Sequence, residues 1–331
     1  MNYGDLIKQA FWITLHNRFL WFFGFFINGG IGSLNFNPSM GGPGDLDGGP
    51  GNAPPVWLSD LTRWITDNLA LVIAIIVTVV VLVLVFIIFA LISQGALAEG
   101  VAALHRGETR RFSSSWRAGV SNFWHVLGQA LLFILIGLVL FMGLALLALV
   151  LFLPMSVLFG ALSADTGSQL LLSAVLIGLL IVLVLFFIVL FVALVVAFYI
   201  VGQLALRELV VGRKRIFESV GAGYGLFRRN LGRSLLIWLI QVAISIGVGI
   251  VALIVFLILG LVLIGPAVLL FSADNITASV VVGIVGGLLF LIPYLVIYGA
   301  VGTFNHAYWT LAYLRFTAPV EEITPRPDEG V

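Results

Sequence analysis

The side chains best suited to chemistry in this chain are four histidines, His16, His105, His125 and His306, and a run of glycines set among cations, "GRKRIFESVGAGYGLFRRN", from Gly212 to Asn230. A histidine metal site needs ligands at fixed spacing, as in HExxH or a pair at i and i+4 on one helical face. Neither spacing occurs, and no carboxylate cluster accompanies the histidines. No Ser, His and Asp can be assembled at a common depth for nucleophilic catalysis. Cysteine is absent, which removes disulfides, thiolate nucleophiles and cysteine metal ligands. The sequence therefore predicts no catalytic residue, no metal and no cofactor.

The glycine run invites comparison with a phosphate-binding loop. Such loops place glycines between a strand and a helix as G-x-G-x-x-G or G-x-x-x-x-G-K-[ST]. Gly221, Gly223 and Gly225 have neither spacing, and no strand is predicted beside them. Phe217, Val220, Tyr224, Phe227 and Leu231 instead recur every three or four residues, the period of one helical face. The reading is a basic amphipathic helix on a membrane surface, with no role for nucleotide or nucleic acid. For the three glycines two roles stay open, close packing against a neighbouring helix or a weakening of the helix itself.

What must position these residues is set by the solvent. Of 331 residues, 61% are hydrophobic and 9% charged, with a mean hydropathy of +1.19. A soluble domain carries about 25% charge, so this chain is built for lipid. Uncharged runs of about 20 residues mark membrane crossings. Six are predicted, at about 19–33, 69–93, 126–153, 170–203, 234–271 and 276–303. The first is eroded by glycines and Asn28, and is read as a retained span, not a cleaved signal peptide. The fifth, at about 38 residues, would extend about 57 Å as a straight helix. It must tilt, kink near Gly260–Pro266, or run along the outer interface, and Pro293 should kink the sixth. Fifteen of the sixteen lysines and arginines fall on one side of these spans, and only Arg63 falls on the other. By the positive-inside rule both termini are cytoplasmic. Outside lies a Gly/Pro-rich loop, residues 28–55, expected to be disordered, then a helix over 56–68, either lying in the outer interface through Trp57 and Trp64 or serving only as a short linker.

The chain repeats itself. "LHRGETRRFSSSW" (Leu104 to Trp116) and "LVVGRKRIFESVG" (Leu209 to Gly221) share Leu, Gly, Arg, Phe and Ser at a constant offset of 105. Upstream, "QGALAE" (Gln94 to Glu99) and "QLALRE" (Gln203 to Glu208) share Q-x-A-L-x-E. The fold class expected is an all-α polytopic membrane bundle of about six spans, built from three pseudo-repeated two-span units with cytoplasmic amphipathic elbow helices. The units run over about 5–93, 110–202 and 215–303 within a single transmembrane domain, 1–317, followed by a disordered cytoplasmic tail, 318–331. In the repeat the three glycine positions hold Trp116, Ala118 and Val120, so the unit does not depend on glycine there.

The spans contain no Asp, Glu, Lys or Arg in their interiors, and an intramembrane charge is the usual mark of a pump or a membrane enzyme. Thr78, Gln129, Ser173, Gln241 and Ser245 are read as hydrogen-bonding between helices or to their own backbone. The elements "GETRRFSSSWRAGVSNFWHVLGQALL" and "GRKRIFESVGAGYGLFRRNLGRSLLI", with the closing "HAYWTLAYLRF", resemble uncharacterised prokaryotic six-span membrane families. These include the membrane domain attached to some glycerophosphoryl diester phosphodiesterases. There catalysis belongs to a separate soluble barrel, so the resemblance implies a membrane module and transfers no catalytic residue. The expected protein is non-enzymatic, resides in the cytoplasmic membrane, and interacts with lipid or with a protein partner. Anionic lipid would be contacted by Arg110, Arg111 and Arg117 in one elbow and by Arg213, Lys214, Arg215, Arg228 and Arg229 in the other, with Trp116, Phe123, Tyr224 and Phe227 anchoring the apolar face. The competing role for these charges is topology alone. The competing function is a transporter or channel for a neutral or amphipathic solute.

Overall fold

A computed structural model describes residues 2–28, 63–162, 170–273 and 275–318, and among them the chain is helical with no strand. Helices α1 (Tyr3–His16) and α2 (Leu20–Asn28) are followed by α3 (Leu69–His105), α4 (Phe112–Leu162) and α5 (Leu170–Val210). Then come α6 (Ile216–Arg229), α7 (Leu231–Leu263), α8 (Gly265–Ser272) and α9 (Ile276–Thr317). Helices α3, α4, α5, α7 and α9 are each long and apolar enough to cross a membrane. They are the helices of a multi-pass integral membrane protein.

Among the described residues five such helices stand where the sequence predicts six spans. Of the first predicted span the described residues contain only α2, nine residues long, or about 14 Å, against a hydrocarbon core of about 30 Å. The rest of that span lies outside the described residues. So do nearly all of the outer loop, most of the predicted interfacial helix, the link at 163–169 and the tail beyond Ala318. The long fifth run is divided. Helix α7 stops at Leu263, and Pro266 falls in the first turn of α8, where a missing N–H costs nothing. Pro293 lies inside α9 and does not end it.

The residues form two compact units. One contains Met1–Tyr3, Asn122–Gly247 and Trp309–Val331, the other Gly4–Ser121 and Val248–Tyr308. In the second unit α3 changes character along its length. Its first half is apolar on every side and open, with Leu71, Ile76 and Leu82 about half exposed, whereas Leu91 to Ala103 are mostly buried. Between lipid and a protein interior of similar polarity a Leu or Val face has little preference, so packing is decided by small residues that admit close backbones. Those residues sit in the buried half. A Cβ built on Gly119 of α4 would clash with the carbonyl of Ile92 and touch Ala96. Gly24 of α2 meets Gly299 and Gly302 of α9, where Thr303 Oγ1 donates to Leu20 O at 2.9 Å. Phe22 and Phe23 of α2 reach Phe112 of α4 with ring centroids 5.3 and 5.2 Å apart, and Trp116 and Phe89 join the cluster. Helices α7 and α9 run antiparallel through Phe256, Tyr294 and Tyr298, and Ser279 Oγ donates to Ala267 O of α8 at 2.7 Å.

In the first unit α4 and α5 run antiparallel. Phe133 packs edge-on to Phe198 at 5.1 Å, and further along Phe152 meets Phe187 at 5.4 Å. Helix α7 is tied to α5 and α9 by polar groups. Gln241 Oε1 accepts from Trp309 Nε1 at 2.5 Å, and Gln241 Nε2 donates to Tyr199 Oη at 3.2 Å. Gln241 and Trp309 are buried. Of the polar residues inside the predicted spans, Gln241 thus bonds between helices, and Thr78 bonds to its own backbone at Ala74 O.

Candidate functional site

The first unit holds the predicted glycine-rich elbow. Helix α5 ends in a turn that closes on Glu208. The Lys214 N–H donates to the Glu208 carbonyl at 3.2 Å, and Lys214 Nζ lies 2.8 Å from Glu208 Oε2. The carboxylate is buried and also accepts from the Tyr313 hydroxyl. A Cβ on Gly212 would stand 2.9 Å from Glu208 Oε2 and 3.1 Å from Tyr313 Oη, so a bare backbone is what admits the three groups together. Reversing the chain this tightly puts Arg213 at φ 51°, a region that costs a non-glycine residue about 1–2 kcal/mol.

Helix α6 follows. Its first turn is steadied by the Arg215 N–H, 3.5 Å from Glu218 Oε2, while Arg228 and Arg229 lie in its last turn, where the helix dipole favours cations. Ser219, Gly223 and Phe227 are buried, at i, i+4 and i+8 on one stripe. A Cβ on Gly223 would fall 2.7 Å from the backbone N of Ala205 in α5. At the other end Ile216 Cδ1 comes so near Gly128 of α4 that a Cβ there would stand 2.6 Å away. The two contacts are seven residues apart along α6, or about 10.5 Å, close to the 8–10 Å between packed helix axes. Helix α6 therefore bridges α4 and α5.

The apolar face read from the sequence divides. Phe227 packs into the protein and cannot anchor in lipid, whereas Phe217 is 78% exposed and Tyr224 55%. Leu231, the first residue of α7, is exposed as well. Trp124 of α4, 74% exposed, is a further open aromatic that periodicity did not single out.

The eight predicted lipid-contacting cations fall into two groups. Lys214 is held by Glu208, and Arg110 is held by Glu108 at 3.2 Å and Glu99 at 3.7 Å. Arg106 also bonds Glu108, at 2.8 Å, and that hydrogen bond is the main reason its carboxyl lies below the usual glutamate range. Arg111, Arg117, Arg213, Arg215, Arg228 and Arg229 are exposed, and none makes an ion pair among the described residues. Arg213, Arg215, Arg228 and Arg229 share the first unit and flank α6 at its two ends. Arg111 and Arg117 belong to the second unit.

Arg207, counted from sequence as one more inner-side cation, is fully buried, with Nη1 donating to the carbonyl of Gln203 at 2.8 Å and to its side chain at 2.5 Å. The signal that could have found this cluster was the recurring Q-x-A-L-x-E, which contains Gln203 and Glu208. The histidines are dispersed. His16 stacks on Trp12 and donates to its carbonyl at 3.0 Å, and Gln9 Nε2 donates to His105 Nδ1 at 2.9 Å. Among the described residues no three His, Asp or Glu side chains are grouped to hold a metal ion.

No protein-family model, no curated protein and no solved structure matches the chain.

Proposed function

We propose that this is a non-enzymatic module of the cytoplasmic membrane that binds anionic phospholipid through α6, with six spans and both termini cytoplasmic. One observation carries the reading. Helix α6 turns its Ser219–Gly223–Phe227 stripe to the protein and leaves Phe217 and Tyr224 open beside four arginines without ion pairs among the described residues. Exposed aromatics and cations on one in-plane helix match the region where hydrocarbon gives way to phosphate. The likeness to the membrane domain of glycerophosphoryl diester phosphodiesterases rests on the recurring elements alone and fits a module without its own chemistry.

We also infer that the two elbows are copies of one unit, with one difference: the expected first elbow helix runs without a break into the span of α4, whereas the second ends at Arg229 before α7 begins. Gly119 packs on Ala96 and Gly223 on Ala205, the alanine of Q-x-A-L-x-E in both cases. Glu99 meets Arg110 and Glu208 meets Lys214, the glutamate of the same motif. Ser115 and Ser219 are both fully buried, and the helices begin at Phe112 and Ile216. The glycine, cation, serine and helix-start pairs each differ by 104 residues, one less than the offset of the sequence identities, whereas the alanines and glutamates of Q-x-A-L-x-E differ by 109.

The test is lipid retention by purified, correctly inserted protein. Each arginine near an anionic surface contributes about 1 kcal/mol, or about fivefold in affinity. Changing Arg213, Arg215, Arg228 and Arg229 to Gln should strip co-purifying anionic lipid, while Lys214→Gln should change retention little. Unchanged retention in the fourfold variant would leave these charges a topological role only. The second reading, a transporter for a neutral solute, draws on the interruption of α7 at Ile264, since broken helices line many transport sites. Flux of a neutral solute in proteoliposomes would favour it.

A further inference from the structure

In the first unit α4 and α5 part to leave a groove of about 230 Å³, lined by Gly137, Phe141 and Leu144 on one side and by Phe191, Val195 and Phe198 on the other, among other apolar residues. We propose that this groove seats one acyl chain of the phospholipid whose phosphate is held at α6, so that headgroup and chain are read by one composite site. The inference rests on the lipid-binding reading of α6 and extends it.

Three observations assign the occupant. First, every lining residue is apolar and both walls belong to helices built to cross a membrane, so the groove offers a polar ligand nothing to bond. Its volume is below the roughly 300–1,000 Å³ of a small-molecule site, so it admits a stretch of one extended chain and no folded ligand. Second, the groove has a charged end. Helix α6 crosses α4 at Gly128 and α5 at Ala205, and the groove begins at Gly137 and Phe198, nine and seven residues further along. Those intervals are about 10–14 Å of helix. The headgroup layer of a bilayer is roughly 5–8 Å deep on each side, so a phosphate at α6 places the upper methylenes of its chains at the groove mouth. Third, Gly137 keeps the mouth open. A Cβ there would stand 3.5 Å from Phe198 Cζ, ordinary contact, but a large side chain would fill the space.

The experiment uses full-length protein in phosphatidylcholine bilayers doped with phosphatidylglycerol whose acyl chain carries a photoreactive diazirine, with cross-linked peptides located by mass spectrometry. Labelling should concentrate on residues 137–144 and 191–198 over the open half of α3 at 69–85, and unlabelled phosphatidylglycerol should compete it away better than phosphatidylcholine. Gly137→Trp, and independently Leu140→Trp at another lining position that is 42% exposed and so tolerant of bulk, should each remove most of the groove labelling, because the indole takes the space the chain would occupy. Labelling of the groove no stronger than of α3, no preference for the anionic competitor, or insensitivity to both tryptophan variants would overturn the seat. The two levels fail separately. If the fourfold Gln variant loses anionic lipid but groove labelling persists, α6 binds lipid and the groove does not belong to that site. If the Gln variant retains its lipid, the reading of α6 itself is wrong.

Discussion

Gly221, Gly223 and Gly225 lie within five residues of one helix, and the structure gives them opposite roles. Around Gly221 and Gly225 a Cβ would meet nothing within 4 Å, whereas at Gly223 it would fall 2.7 Å from Ala205 N, 2.9 Å from its Cα and 3.0 Å from its Cβ. Alanine in place of glycine gains about 0.8–1 kcal/mol of helix propensity, so Gly221→Ala and Gly225→Ala should each stabilise by up to that amount. At Gly223 the same gain is opposed by three overlaps, two of them with backbone atoms that no rotamer change can move. Restoring normal separations of about 3.5–4.0 Å requires α6 to withdraw from α5 by about 1 Å, and such overpacking costs about 1–3 kcal/mol. The net effect of Gly223→Ala is thus zero to about 2 kcal/mol destabilising, and Gly223→Leu should be clearly worse. Thermal unfolding in detergent reads the difference, at roughly 2–4 °C per kcal/mol for a chain of a few hundred residues. A Gly223→Ala protein as stable as Gly221→Ala would refute the claim that Gly223 is where α6 seats on α5.

Removing either partner of the Gln241–Trp309 bond, by Gln241→Leu or Trp309→Phe, should destabilise the protein, and the double-mutant cycle should return a coupling of about 0.6–1.7 kcal/mol; additivity would mean that the bond does not tie α7 to α9. Lys214→Met leaves the buried Glu208 carboxylate with Tyr313 alone and should lower stability by about 1–2 kcal/mol, discounted from the buried-pair figure because Lys214 is partly exposed. Adding Glu208→Gln should recover part of that loss, and a double variant no better than the single one would show that the pair does not close the turn. Cysteines placed at Gly44, Gly107, Asp165, Lys214 and Asp274 should react with an impermeant reagent in intact cells only at the first, third and fifth. Outside labelling at Gly107 or Lys214 would invert the proposed topology.

Composition alone determined that this chain lives in lipid, because 9% charge cannot clothe 331 residues in water. The uncharged runs likewise determined α3, α4, α5, α7 and α9, since a run of that length has no soluble alternative. Glycine and proline near 260–266 marked the break after α7, because a proline fits the first turn of a new helix, where its missing N–H has no partner to lose. Pro293 carried the same local signal and does not end α9: in a long helix the neighbouring turns can absorb one missing bond. What the sequence left open was every question of facing. The apolar period of 217–231 was legible, but a helix between protein and lipid can bury either of two apolar stripes. Only the close approach of Gly223 to Ala205 put Phe227 inside and Phe217 and Tyr224 outside. Charge was legible as well, yet pairing was not: Lys214 and Arg110 look like their neighbours until Glu208 and Glu99 are brought beside them. The repeat shows the same limit at finer grain. Matching letters align the elbows at 105, while helix starts, buried serines and packed glycines align them at 104. One residue turns a helical face by about 100°, so identity counted along the chain cannot say which side of α4 or α6 meets its neighbour, and only packing in three dimensions does.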